Sequence, residues 1–285
     1  MSAKFGPAGN GELFLKSGFK STAELPAWIA SMGLSAYEYQ CGRGINISDE
    51  KALEIGNAAR QNGISISLHS PYFINLSSDD PERIQKNNAY ILESCRVADI
   101  MGGRRVVVHC GGLSGRTREQ AGKNTRVCLD SAISATEQAG FSHMILCLET
   151  MGKINVYGTL EEVCLICRDY ERVIPCVDFG HINARTLGGL KSRDDFLKLF
   201  DTMENIIGIE RARNFHVHFS KIQFSDGGEV HHLTLADTEY GPEFNYAAEI
   251  MAQRGYSPTV ICESSGTQVE DAVSLMKMFE EANKN

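Results

Sequence analysis

Residues 64–72, ISISLHSPY, alternate apolar and small polar side chains and then stop at a histidine and a proline. A period of two is that of a β-strand, so Ile64, Ile66 and Leu68 share one face and Ser65, Ser67 and His69 the other. The apolar face suits packing against helices, which turns His69 inward at the end of its strand. The same ending recurs along the chain. RVVVHCGG (105–112) closes on His109 and MILCLET (144–150) on Glu149, which shares its face with Cys147 and Ile145. VIPCVDFGH (173–181) brings Asp178 and His181, FHVHFSK (215–221) brings His216 and His218, and TVICESSG (259–266) ends on Glu263.

Strand candidates stand at 34–39, 64–69, 105–109, 144–149, 173–178, 215–219 and 259–263, with a weaker eighth at 4–6 or 12–15. Amphipathic helical stretches fall between them, for example at 82–101, 118–139, 159–170, 193–211 and 267–282. Eight strand–helix units in about 250 residues predict a (β/α)8 TIM barrel. No linker or low-complexity stretch divides the chain, so residues 1–285 read as one domain. A doubly wound sheet would open on a GxGxxG loop, which GPAGNG (6–11) is not. In a barrel all strand C-termini face one mouth, so the six strand-end groups converge there.

With 285 residues, 42% hydrophobic and 22% charged, the chain can bury a full core. It has no run approaching the roughly 18 apolar residues of a membrane span. The opening MSAKFGPAGNGELF shows no basic stretch followed by an apolar one, and a cytoplasmic location is expected. The nine cysteines lie mostly inside apolar runs, as Cys147 and Cys262 do, which reads as reduced core thiols. Cys164 and Cys167 form a CxxC in a helical stretch with no second CxxC, so packing is expected there rather than zinc. A net charge of −8 argues mildly against a nucleic-acid partner, although bound metals would change the local sum.

A single histidine at a strand end is more often a hydrogen-bonded loop anchor than a ligand. Several imidazoles and carboxylates in one mouth are another matter, because they are costly to bury unless paired or bound to metal. Nitrogen and oxygen donors without a thiolate favour zinc or manganese over calcium or magnesium. His143 begins its strand, at the opposite end of the barrel, and is expected to be a surface or packing residue. His218 shares a face with His216 and is expected to line the site without holding metal. Arg43, Lys153, Arg185 and Lys221 are loop-side candidates for phosphate contacts, with a solvated charge as the default for each.

In order along the chain, HSPYFINL, VVHCGG, CLET, CVDFGH, HVHFSK and CES resemble the endonuclease IV family of abasic-site DNA repair nucleases. The resemblance implies a TIM barrel with two or three zinc ions, a monomer, and DNA containing abasic sites as partner. Carried onto this chain, His69 and His109 would hold the first ion. Glu149 would bridge it to a second, completed by Asp178, His216 and Glu263. His181 would hold a third with a later carboxylate and histidine. The family offers D-x-H there, whereas this chain has SDGGEVHHLTL (225–235). Glu229 with His231 keeps the spacing; Glu229 with His232, which opens an apolar run, is the pair favoured, and Asp226 stays open. Two further segments, ETMGKINVYGT (149–159) and YQCGRGI (39–45), depart from the family pattern. Tyr72 and Phe73 stand where the family places a loop that probes the duplex.

The expected chemistry is metal-assisted hydrolysis of a phosphodiester, with Glu149 bridging the ions and Glu263 orienting the attacking water. Three dications against four carboxylates and a hydroxide leave the mouth at about +1, which accepts a phosphate but predicts weak non-specific DNA binding. The alternative is a sugar isomerase or epimerase of the xylose-isomerase-like barrels, using Glu149, Asp178, His216 and Glu263 around one metal, manganese included. His69, His109 and His181 would have no work in that enzyme. A non-catalytic metal-dependent barrel would leave the buried carboxylates unexplained.

Overall fold

The computed structural model describes residues 3–284. Eight parallel strands form the barrel: β1 (Lys4–Pro7), β2 (Ala36–Gln40), β3 (Ser65–His69), β4 (Arg105–His109), β5 (Ile145–Glu149), β6 (Val173–Asp178), β7 (His216–Phe219) and β10 (Thr259–Cys262). Their order around the sheet is β1-β10-β7-β6-β5-β4-β3-β2. The seam between β1 and β2 is closed by a parallel bridge from Ala8 to Glu38 and by hydrogen bonds from Gly9 N to Glu38 O (3.0 Å) and Ser35 N to Phe5 O (2.9 Å). Closure demands glycine at position 6, where a Cβ would lie 1.7 Å from the carbonyl oxygen of Ala36. Of the two positions considered for the eighth strand, 4–6 is therefore the one used; 12–15 lies within helix α1 (Gly11–Lys16).

The remaining helices are α2 (Leu25–Ser31), α3 (Asp49–Gln61), α4 (Pro81–Ile100), α5 (Arg118–Gln138), α6 (Leu160–Asp169), α7 (Phe179–Arg185), α8 (Arg193–Ile207), α9 (Ile209–Ala212), α10 (Phe244–Gln253) and α11 (Gln268–Ala282). The stretch expected as one helix over 193–211 is two, broken at Gly208, whose φ of 80° an ordinary helical residue does not adopt. Capping boxes start α5 (Thr117 with Gln120) and α6 (Thr159 with Glu162), so these helix ends are written in the sequence.

The period-two reading of β3 describes every barrel strand. Leu68, Val106, Val108, Leu146 and Leu148 point outward into the large core shared with the helices. Inside, a small apolar plug of Val107, Cys147 and Cys176, flanked by Ile145 and Ile174, fills the barrel below the mouth. All nine cysteines are buried and free, Cys164 and Cys167 included. His143 pairs with Asp99 (2.7 Å) at the far end from the mouth.

One element has no counterpart in the strand–helix alternation. Residues 222–232 form an antiparallel hairpin, β8 (Ile222–Ser225) with β9 (Gly228–His232), laid over the mouth after β7. It is anchored to the β5–α6 loop by a bridge between Lys153 and Gly228. No helix among the described residues is long and apolar enough to cross a membrane.

Candidate metal centre

The inward, C-terminal ends of β3 to β7 and β10 deliver the strand-end residues to one cluster. Glu149 is its centre, buried to 1% exposure. Its Oε2 lies 3.0 Å from His109 Nε2 and 3.2 Å from His69 Nε2. Its Oε1 lies 3.2 Å from His218 Nδ1 and 3.3 Å from His181 Nδ1. Each carboxylate oxygen thus serves a different side of the mouth, which is the geometry a bridging ligand requires.

Of five overlapping groups of potential ligand atoms among the described residues, three cover the mouth from side to side: His69, His109 and Glu149; Glu149, Asp178, His218 and Glu263; and His181, Glu229 and His232. Ligand atoms about 2.0–2.1 Å from a tetrahedral zinc stand about 3.3 Å from one another. The separations of 3.0 and 3.2 Å at Glu149 Oε2, and 3.4 Å between His181 Nε2 and Glu229 Oε2, are of that size. His232 is looser, 3.9 Å from Glu229 Oε1.

The outer ring nitrogens support the same reading. His69 Nδ1 is 2.7 Å from the carbonyl of Ser70 and His181 Nδ1 2.9 Å from that of Thr150. A carbonyl only accepts, so each Nδ1 carries a proton and each Nε2 faces the cluster. Asp178 caps α7, its Oδ1 accepting from the His181 backbone N–H (2.7 Å), while its Oδ2 is buried with no hydrogen bond. An orphaned carboxylate oxygen in a mouth of imidazoles is what a cation would satisfy.

The proton affinities follow from this crowding. Burial raises Glu149, but the imidazoles of His109 and His218 hold it well below the usual carboxylate range. Burial depresses His69, and the Glu149 carboxylate more than reverses this, bringing it to about 9. Burial also depresses His181, which Asp178 and Glu229 lift well above its ordinary value. Burial raises Glu229, and His181 overcomes this and draws it down to about 2. Asp178 is pushed up, chiefly by burial. These opposed shifts show imidazoles and carboxylates holding each other charged across the cluster.

In the group with Glu149, Asp178 and Glu263, where His216 is expected, it is His218 whose ring nitrogen converges. Strand register is the reason: His218 pairs with Asp178 and Ile261, whereas His216 pairs with Cys176 and Thr259, two residues deeper in the barrel. His216 Nε2 bonds to Glu38 Oε2 (2.9 Å), and burial lowers its pKa to about 4. Behind the mouth Cys176 converges with His216 and His218, but burial raises this thiol well above its ordinary value and keeps it protonated.

Of the two histidines left open on the hairpin, His232 is the one turned inward, held by Ser220 Oγ at 2.9 Å. His231 is exposed, as is Asp226 in the turn. Gly152 makes room for this group, since a Cβ there would lie 2.7 Å from Glu229 and 2.9 Å from His181.

The expected phosphate contacts are mostly spoken for. Arg185 donates to four carbonyls of the β5–α6 loop, those of Met151, Lys153, Ile154 and Val156, at 2.8–3.1 Å. Lys221 is buried and donates to Glu243 and to the carbonyl of Asp237, both at 2.7 Å. Arg43 is exposed and does not line the mouth. Tyr72 does line it, over a cavity of about 350 Å³ whose described lining holds no lysine or arginine. Glu38, which sequence reasoning did not single out, lies wholly buried beneath the cluster; the alternation in AYEYQ, with Ala36, Glu38 and Gln40 on one face, was its signal.

Known proteins agree with this architecture. The family described as Xylose isomerase-like TIM barrel matches residues 26–282. An uncharacterised protein of Methanocaldococcus jannaschii is 29% identical over 255 residues, covering 89% of this chain and 90% of its own. A protein named "Probable endonuclease 4" from Acholeplasma laidlawii is 30% identical over 180 residues, covering 60% of this chain and 59% of its own. Among solved structures, endonuclease IV from Thermus thermophilus superposes with a TM-score of 0.70 at 20% identity, covering 99% of both chains. A D-tagatose 3-epimerase-like protein superposes with a TM-score of 0.72 at 22% identity, covering 99% of this chain and 97% of its own. At such identities the superpositions speak for the fold alone. The chain belongs to the xylose isomerase-like TIM barrel family, and part of it is similar in sequence to proteins named as probable endonuclease 4.

Proposed function

We propose that this chain is a metal-dependent phosphodiester hydrolase that, like endonuclease IV, cleaves DNA at abasic sites. The observation that carries the reading is the surplus of ligands: besides the Glu149, Asp178, His218 and Glu263 group, the mouth holds His69 with His109 on one side and His181, Glu229 and His232 on the other. Zinc is the preferred ion for these nitrogen and oxygen donors, with manganese second. Divalent ions bound there would polarise a phosphoryl oxygen and make water a nucleophile near neutral pH.

The chain's own part is positional. Glu149 ties two ligand groups together through its separate oxygens. Glu263, 14% exposed at the side chain and 3.5 Å from His218 Nδ1, lines the cavity beside Glu229 and would orient the attacking water. Tyr72, 58% exposed at the rim, offers a flat apolar surface to a base or sugar left unstacked at an abasic site. With no lysine or arginine in the described lining and a net charge of −8, non-specific DNA binding is weak.

The second reading is a single-metal sugar epimerase, favoured by the complete Glu149, Asp178, His218 and Glu263 group. One assay separates the two. Zinc-loaded protein is incubated with a duplex carrying a single abasic site, and manganese-loaded protein with a keto sugar. Strand cleavage at the abasic site supports the hydrolase; epimerised sugar with intact duplex overturns it.

A further inference from the structure

Glu38 crosses the barrel interior from β2 to β7, two strands that are not neighbours in the sheet. It has no exposure, and each neighbouring polar group can only serve it as a donor. Ser67 Oγ (2.8 Å) and His216 Nε2 (2.9 Å) donate to its Oε2. Gln40 Nε2 donates to its Oε1 (3.1 Å), and His218 Nε2 lies 2.9 Å from the same oxygen, an ion-pair contact without an aligned hydrogen bond. The other nitrogen of His218 faces Glu149 and Glu263. So large a desolvation cost for one carboxylate calls for a purpose that the catalytic surface does not supply.

We propose that Glu38 is a positioning residue that holds the proton of His218 on Nε2, so that this imidazole meets the metal through Nδ1. The inference rests on the metal-centre reading above. His69 and His181 are built the opposite way, with Nδ1–H given to a backbone carbonyl and Nε2 turned to the cluster. His181 Nδ1 also lies 3.3 Å from Glu149 and 3.4 Å from Asp178, but among these three only His218 has behind it a carboxylate from outside the ligand groups, and a carboxylate behind a histidine ligand fixes the ring and makes its free nitrogen more basic. Ser67 and His216, by donating to Oε2, keep the carboxylate from turning away. His216 thereby acts two bonds removed from the metal, through Glu38.

The test uses zinc-loaded, 15N-histidine-labelled full-length protein, with His218 assigned from a His218→Asn variant. His218 is expected to carry its proton on Nε2 and to coordinate through Nδ1. In Glu38→Gln the same resonance should shift or broaden, and chelator competition should show one ion bound about 10- to 100-fold more weakly, the other groups keeping theirs. Cobalt substitution should change the visible absorption of that one ion. A proton on Nδ1 of His218 in the wild type overturns the inference without needing a folded variant. So does a folded Glu38→Gln that binds every ion as tightly as the wild type. Wild-type protein that binds no metal overturns the metal centre itself, and the inference with it.

Discussion

Replacing Glu149 by glutamine keeps the shape of the side chain and removes the charge around which four imidazoles gather. In metal-free protein the consequence has a size and a direction in pH. Against its burial, His69 rises from 6.5 to about 9 through its hydrogen bond to Glu149. At about 1.4 kcal/mol for each tenfold gain in proton affinity, that is about 3 kcal/mol of stability. Because the folded value is raised, this stability is fully present below about pH 6.5 and is lost as the pH climbs through about 9. The His69 share of the loss in Glu149→Gln should therefore be about 3 kcal/mol at pH 6 and fade above pH 9, so the gap to wild type should narrow as the pH rises through that value. A barrel of ordinary stability survives that loss, so the variant stays folded while losing activity. Urea denaturation of both chelator-stripped proteins across pH 6 to 10 measures the gap. A gap that is flat or widens with pH would refute the assignment of Glu149 as the partner of protonated His69, and retained turnover would refute its bridging role.

Three further outcomes follow from the same geometry. Gly152→Ala drives a Cβ into Glu229 and His181, so it should cost about 1–3 kcal/mol and remove one bound ion while sparing the Glu149 groups, as elemental analysis would show. His232→Ala should lose that same ion and His231→Ala should not; the reverse would return the ligand role to the exposed histidine. Arg185→Ala should lower the thermal midpoint, by about 2 kcal/mol of stability, because the β5–α6 loop loses four hydrogen bonds. A raised KM with unchanged stability would instead mark Arg185 as a phosphate contact.

The sequence carried the barrel because its strands announce themselves twice, by alternation and by the residue type at each C-terminal end. Depth along a strand was not legible. His216 and His218 share an inward face, and only the pairing of β7 with β6 and β10 decides which one meets Asp178. Glu38 sits between two tyrosines and reads locally as a polar residue on a half-buried strand; its purpose appears only when β7 is brought across the barrel to it. Arg185 and Lys221 look like free cations because their partners are loop carbonyls, and in Lys221's case a glutamate 22 residues on, which no local pattern reveals. The hairpin of β8 and β9 was hidden in a stretch read for its ligands alone.

A mouth built of three ligand groups should hold more than one ion, which elemental analysis of protein purified without added metal reads out. Two or three equivalents per chain, mostly zinc, are the predicted result; a single equivalent, above all of manganese, with His69, His109 and His181 replaceable at no cost to binding, would contradict it.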